Sequence, residues 1–268
     1  MDLYHLFLHL VKFVVLGLAT YGSLKAGTID PQTPDEKYVA FGGKFPNVVG
    51  LLSDIKCDNP DCDVKVHSQY GSAVVIRPHW ILTAAHVVRD ASQHRAVLAD
   101  KTEYALPHVV WHKDFDDKSF GKNDIALCYS PKKITMAFYP ELYAKDNELG
   151  KPITIAGWGF TGTFHTGAKQ HDGRRRAGQN VISGVQPSVL VCAPRRLGKF
   201  PLEFMIASGD SGGGMFIGNE LAGINSFLMA TDGKPDGSYS DESAFTRVSQ
   251  YVQWIEEQIA AYEQTLQK

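Results

Sequence analysis

Residues 208–216 read SGDSGGGMF, a serine set between an aspartate and three glycines and followed by two apolar residues. Three structures compete for such a stretch: a flexible linker, a loop whose amides cradle an anion, and a tight turn presenting a nucleophilic serine. The linker fits poorly, because FMI at 204–206 and MFIGNELAGI at 215–224 anchor both ends in core-like sequence. A phosphate loop requires a lysine and a Ser/Thr directly after its glycines, and none follows here. The nucleophile requires partners elsewhere in the chain, an imidazole to take the hydroxyl proton and a carboxylate to orient the imidazole.

The surrounding composition is that of a sizeable globular protein. The chain has 268 residues, 44% of them hydrophobic, enough for one large or two medium domains. With 27 basic and 29 acidic residues the net charge is −2, which gives no global attraction to nucleic acid or anionic membrane. The first 27 residues are apolar and end in small residues, the pattern of a secretory leader cleaved between Ala19 and Gly27. Their uninterrupted apolar part, Phe13 to Ala19, falls far short of the ~20 residues of a membrane span. Four cysteines suit an oxidising compartment without demanding one. Cys57 and Cys62 bracket a turn-forming DNPD and could close a small disulfide loop, while Cys128 and Cys192 lie in apolar runs as buried thiols, with a bond between them left open. Cys-x4-Cys without a second ligand pair is a poor zinc site.

Residues 28–37, TIDPQTPDEK, read as an extended polar connector. Short runs rich in Val, Ile and aromatics then recur at 47–52, 72–76, 80–85, 95–99, 108–112 and 124–129, separated by turn residues, and the style repeats from 152 to 248. Many short strands at close spacing indicate an all-β sandwich or barrel. The segment 131–151 mixes prolines and charges and separates the halves near residue 135. Helical spacing is strong only at the end, where Val248, Tyr251, Val252, Ile255 and Ile259 form one apolar face.

Among ten histidines, His86 stands out because the apolar run WILTAA delivers it to the edge of a core. His108 and His112 share one side of a strand and read as structural or exposed. Asp124 opens the apolar run IALCY, a position where an acid is usually a solvated strand start. GDSGG also matches the Gly-x-Ser-x-Gly elbow of α/β-hydrolases, but that fold places its acid and histidine after the serine. The last histidine is His171, so the order must be His before Ser, which rejects the elbow.

LTAAH at 82–86, NDIAL at 123–127 and GDSGG at 209–213, in that order, resemble the chymotrypsin/trypsin family of serine endopeptidases. VVWHKDF (109–115), AGWG (156–159), LAGINSF (221–227) and AFTRVSQYVQWI (244–255) extend the likeness from about residue 38 to the end. The resemblance implies an all-β fold of two six-stranded antiparallel β-barrels with the active site in the cleft between them and a C-terminal helix. The first barrel would cover about 38–135 and the second about 136–268. It implies a Ser-His-Asp triad of His86, Asp124 and Ser211, and an oxyanion hole of the Gly209 and Ser211 amides. Met205 would lie at the base of the specificity pocket, Leu228 on its wall and Ser243 along it. The backbone of Ser226, Phe227 and Leu228 would pair with extended substrate. Met205 cannot offset a guanidinium, so the expected cleavage is after small or medium apolar residues. Protein or peptide substrates and protein inhibitors are the implied partners of a secreted or periplasmic monomer that needs no cofactor or metal and binds no nucleic acid. A catalytically silent homologue acting as a binding module is the alternative.

The sequence departs from the family in places. Valine follows His86 where animal members usually have a cysteine, and no cysteine lies near Tyr70, where the partner would sit; Gly214 replaces a common proline. Family zymogens are cut so that a new ammonium inserts beside the aspartate preceding the nucleophile, here Asp210. The site loosely resembling such a cut lies between Lys37 and Tyr38, which makes 28–37 a connector or propeptide. Tyr38 is too bulky for a pocket shaped for a small aliphatic residue. The expectation is that no such cut is required once the leader is gone, with Asp210 satisfied by hydrogen bonds or by another cation. GRRR at 173–176 reads as a solvated loop, or as a site for polyanions or self-cleavage.

Overall fold

The computed structural model describes residues 27–56, 66–116, 118 and 121–267. All but the last residue of the expected leader, and the Cys57–Cys62 loop, lie outside the described residues. The described chain starts with β1 (Thr28–Ile29) and α1 (Asp35–Gly42). There follow β2 (Val48–Lys56), β3 (Val66–Arg77), β4 (Trp80–Thr83), α2 (Ala85–Val88), β5 (Gln93–Val97), β6 (Glu103–Ala105), β7 (His108–Trp111) and β8 (Ala126–Tyr129). The second half holds β9 (Pro152–Gly157), β10 (Thr161–Thr163), β11 (Gly167–Gln170), β12 (Arg176–Val181), β13 (Gly184–Val185), β14 (Val189–Cys192), β15 (Phe204–Met205), β16 (Gly214–Ile217), β17 (Glu220–Ala230) and β18 (Asp241–Arg247), and ends in α3 (Val252–Leu266).

The strand-rich halves are two curled antiparallel sheets, seven strands in each rather than the expected six. The first has the order β6-β5-β2-β3-β4-β8-β7 and the second β12-β9-β16-β17-β18-β14-β13. Residues 130–151 run from the first sheet to the second with no strand beyond a bridge from Leu142 to Leu221. The central strand β4 is covered on both faces: all four of its residues are buried. One core joins Val74, Ile81, Leu82, Ile125 and Leu127 to Trp158 and Ile224 of the second half and to Ile255 and Ile259 of α3. A second gathers Tyr38, Ile155, Leu190, Phe204, Met205, Met215 and Phe245. The apolar face read from the last residues therefore docks the closing helix on the first sheet, where Tyr262 stacks on His108 at 3.7 Å and Glu263 accepts from Trp80 Nε1 at 2.9 Å. Cys128 and Cys192 are separate buried thiols, both pushed up by burial, Cys128 to about 12. Where the family bond is missing, Val87 packs on Gly71 so closely that a Cβ there would lie 2.7 Å from a Val87 methyl.

The supposed connector is structured. β1 is inserted between β10, to which it runs parallel, and β15, to which it runs antiparallel, in a four-stranded sheet ordered β11-β10-β1-β15. Pro34 precedes α1, whose first turn carries Asp35 and Glu36, a favourable charge placement at a helix N-terminus. The run 173–176 is neither a solvated loop nor an open polyanion site, because its arginines fasten α1. Arg176, 3% exposed, binds both oxygens of Asp35 (2.6 and 2.7 Å) and also Asp172. Arg174 binds Asp35, Glu36 and Asp172, and Arg175 donates to the carbonyls of Gly42 and Val48 while covering the Trp158 ring.

Because Ile255 is fully buried, Ile255→Ala should lower the unfolding free energy by about 2–5 kcal/mol. Leu197→Ala, at a side chain 90% exposed, should change it by less than about 0.5 kcal/mol. Urea denaturation of both variants checks this.

Candidate active site

β4 runs directly into α2, which places His86 at the edge of the first core. The backbone N–H of His86 donates to Asp124 Oδ1 at 3.0 Å, and its Nδ1 lies 2.8 Å from Asp124 Oδ2. Asp124 is 1% exposed, and its Oδ2 also accepts from Ser226 Oγ at 2.5 Å. Burial raises the pKa of this carboxyl, but His86 and the Ser226 hydroxyl outweigh burial and hold it below the ordinary value. The turn that delivers Asp124 is tight: Gly121 has φ 62°, and a Cβ there would lie 2.8 Å from Ser226 Oγ.

Ser211 sits on the loop between β15 and β16. Ser72 N–H donates to Ser211 O and Ser72 Oγ to Gly209 O, both at 2.8 Å, so β3 holds the loop from the first sheet. Gly209 adopts φ 85°, which an L side chain rarely tolerates. Among the described residues the amides of Gly209 and Ser211 find no acceptor, which leaves two N–H groups free beside the hydroxyl. Ser211 Oγ donates to Ser226 O at 3.5 Å, a long contact, and makes no hydrogen bond to His86. The register of β17 on β18 shifts between Asn225 and Phe227, so Ser226 bulges out of the pairing. Its carbonyl thus faces Ser211 while its hydroxyl holds Asp124.

Asp210 is 2% exposed. Its Oδ1 accepts from Gly159 N–H at 3.0 Å, its Oδ2 from Ala207 N–H at 3.1 Å, and the amide of Gly27 also donates to it. Burial raises its pKa to about 7 against the pull of these amides, and among the described residues no cation lies within ion-pair distance.

Two cavities meet at Ser226 and Phe227. One of about 220 Å³ is lined by Ile206, Ala207, Ser208, Ser211, Leu228 and Pro235 in addition to that pair. The other, about 170 Å³, is lined by His86, Phe115, Gly121 and Asp124 with the same pair. Met205 and Ser243, expected to line the specificity pocket, are fully buried behind it. Ser243 Oγ donates to Met205 Sδ at 3.4 Å and accepts from Ile206 N–H at 3.1 Å, which fixes the wall from behind, and Ile206 takes the lining position. The adjacent apolar position offered a weak signal for Ile206. Pro235, in a polar loop, offered none. Among the described residues no cluster of His, Cys, Asp and Glu could hold a metal, and no helix is long and apolar enough to cross a membrane.

The family model described as Trypsin matches residues 56–255, and the chain belongs to the trypsin family of serine proteases. It is 27% identical to a collagenase of Hypoderma lineatum over 245 residues, covering 82% of this chain and 85% of the relative. It is also 27% identical to serine protease SSP1 of Scolopendra subspinipes over 216 residues, 70% of this chain and 72% of the relative. Among solved structures, HL collagenase superposes with a TM-score of 0.62 at 23% identity, over 82% of this chain and 95% of the other. Neuropsin of mouse brain superposes with a TM-score of 0.61 at 16% identity, over 80% of this chain and 95% of the other, a likeness of fold.

Ser226→Ala removes a hydroxyl donor from the buried Asp124 carboxylate, a hydrogen bond to a charged group worth about 1.5–3 kcal/mol. The variant should lower the unfolding free energy by about 1.5–3 kcal/mol while its circular dichroism spectrum stays that of the parent, which urea denaturation checks.

Proposed function

We propose that the chain is an active serine endopeptidase in which Ser211 is the nucleophile, His86 the general base and Asp124 the orienting acid. The observation that carries this is the buried, ionised Asp124 holding His86 by two hydrogen bonds. With Nδ1–H directed at Asp124, Nε2 is left as the acceptor of the Ser211 proton once substrate brings the two together. Attack on the scissile carbonyl gives a tetrahedral oxyanion, which the free amides of Gly209 and Ser211 stabilise. The imidazolium then protonates the leaving amine, and water repeats the sequence on the acyl-enzyme. Substrate adds as a strand along Ser226 to Leu228, where the Ser226 carbonyl, outside the β17–β18 ladder and only weakly met by Ser211 Oγ, supplies an acceptor.

The residue before the cut bond enters the 220 Å³ cavity, whose lining includes Ile206, Phe227, Leu228 and Pro235 and no charged side chain. A guanidinium there would be desolvated without a partner, so cleavage follows small or medium apolar residues. Purified protein should hydrolyse alanyl, valyl or leucyl anilides in preference to arginyl ones. Ser211→Ala and His86→Ala should each reduce this by at least about 10³-fold. Undiminished turnover in either variant contradicts the triad, and a fold-intact parent without turnover returns the chain to the binding-module reading.

We further infer that the peptidase domain begins at Gly27 rather than Tyr38, and that the leader directs the protein to secretion. Tyr38 is fully buried within α1, with its hydroxyl donating to Glu203 O at 3.0 Å, so a cut before it would sever a packed helix. Gly27 instead carries the amide that meets Asp210, and a Cβ on it would lie 2.3 Å from the Phe204 ring. Cleavage of the Ala26–Gly27 bond in SLKAG turns that amide into an ammonium beside a buried carboxylate. In the uncut chain Asp210 keeps its proton up to about pH 7 when folded but loses it near 3.8 when unfolded. Folding then binds an extra proton in this window, so stability should fall by about 4 kcal/mol as pH rises from about 4 to about 7. In the chain beginning at Gly27, the ammonium favours the carboxylate and this loss should largely disappear. Thermal unfolding of the two forms across this range, with N-terminal sequencing of active secreted protein, checks both statements.

A further inference from the structure

Asn225 is a polar residue buried completely in β17, next to the bulged Ser226. Its side-chain Nδ2 donates to Asp210 O and to Ala156 O, each at 3.1 Å. Among the described residues its Oδ1 has no hydrogen-bond partner. The orientation of this amide is set, because the reverse one would turn Oδ1 against two carbonyl oxygens. The fold alone does not account for such a residue, since an apolar side chain of similar volume would leave no buried oxygen unmet. Its backbone is tied to the same loop: its carbonyl accepts from Gly212 N–H at 2.8 Å and its N–H donates to Gly213 O at 2.9 Å.

The carbonyl that Asn225 holds belongs to the peptide unit that carries the Ser211 amide. In a planar trans peptide the N–H points opposite to the C=O, so a donor fixed on Asp210 O aims Ser211 N–H the other way. That N–H is one of the two left free beside the Ser211 hydroxyl. Gly213 N–H also donates to Asp210 O, at 2.8 Å, but it belongs to the same turn and moves with it. Asn225 lies on β17 and Ala156 on β9, with β16 between them in the sheet, so the side chain ties the loop to the sheet. The approach is close: a Cβ on Gly213 would lie 2.7 Å from Asn225 Nδ2 and 2.9 Å from Asp210 O. Hydrogen bonds in series also polarise one another, so negative charge on an acceptor of Ser211 N–H strengthens the Asn225 bond behind it.

We propose that Asn225 is a positioning residue for the oxyanion: it holds the Asp210–Ser211 peptide so that its N–H faces the developing charge and is polarised toward it. The proposal rests on the endopeptidase reading. The test uses a peptidyl trifluoromethyl ketone. Ser211 Oγ bonds to the ketone carbon, the hydroxyl proton passes to His86, and the C=O π pair moves to the oxygen as a hemiketal oxyanion, whose pKa the fluorine NMR signal reports. In Asn225→Leu and Asn225→Val, kcat on the anilide the parent hydrolyses best should fall at least about tenfold, with KM within about twofold. The hemiketal pKa should rise by about one pH unit, the same factor. Ile224→Val, which removes a methyl from a fully buried neighbour on the same strand, should leave both unchanged. In the parent itself, the Asn225 side-chain amide proton resonance should move downfield when the hemiketal forms. A hemiketal pKa unchanged in a folded Asn225 variant, an equal effect of Ile224→Val, or an Asn225 amide resonance that stays in place overturns the positioning role alone. A parent that forms no hemiketal overturns the endopeptidase reading and this role with it.

Discussion

The carboxylate of Asp124 is the joint between the two halves of the molecule. Its side chain accepts two hydrogen bonds from His86 of the first half and one from Ser226 of the second, and its backbone carbonyl accepts from Thr246 of β18 at 2.7 Å. A buried charge is tolerated only when its lone pairs are met, and here the donors lie on opposite sides of the cleft. Closing the interface and orienting the imidazole are thus one event. The register shift at Ser226 belongs to the same constraint, since a residue paired in the ladder could not present its carbonyl to Ser211 and its hydroxyl to Asp124 together.

Asp210 makes the opposite arrangement. It is as buried as Asp124, yet amides alone meet its oxygens, and burial wins: its pKa rises where that of Asp124 falls. The difference lies in the partners. An imidazole and a hydroxyl lie against one acid, and backbone amides, that of Gly27 at the start of β1 among them, lie against the other. The absence of the family's disulfide beside His86 places comparable weight on packing, with Val87 filling the space over Gly71.

The family motifs around His86, Asp124 and Ser211 and most strands were legible because each is a local pattern: an apolar run, a turn, a polar residue at the edge. The closing helix was legible for the same reason, through its i, i+3, i+4 spacing. α1 was not, since eight residues with two prolines upstream carry no sustained period and are held chiefly by Arg174, Arg175 and Arg176, more than 130 residues away. The resemblance fixes the segment around Met205 but not which side chain turns toward the cavity beside Ser211, where Ile206 is part of the lining and Met205 is fully buried. Side-chain direction there depends on β15 pairing with β1, whose residues read as an extended connector.

The placement of the first described residues also sets an order on synthesis. Thr28 binds Gly237 O, 209 residues on, and Tyr38 binds Glu203 O, 165 residues on. A ribosome adding about 5–20 residues per second makes these partners only after roughly 10–40 s. The first sheet can collapse around β2 to β8 in that interval, while the segment from Gly27 to Gly42 has nothing to pack against. It is made early and seated late, so the nascent chain must hold a tyrosine and a strand edge in reserve until residues 203–237 have emerged.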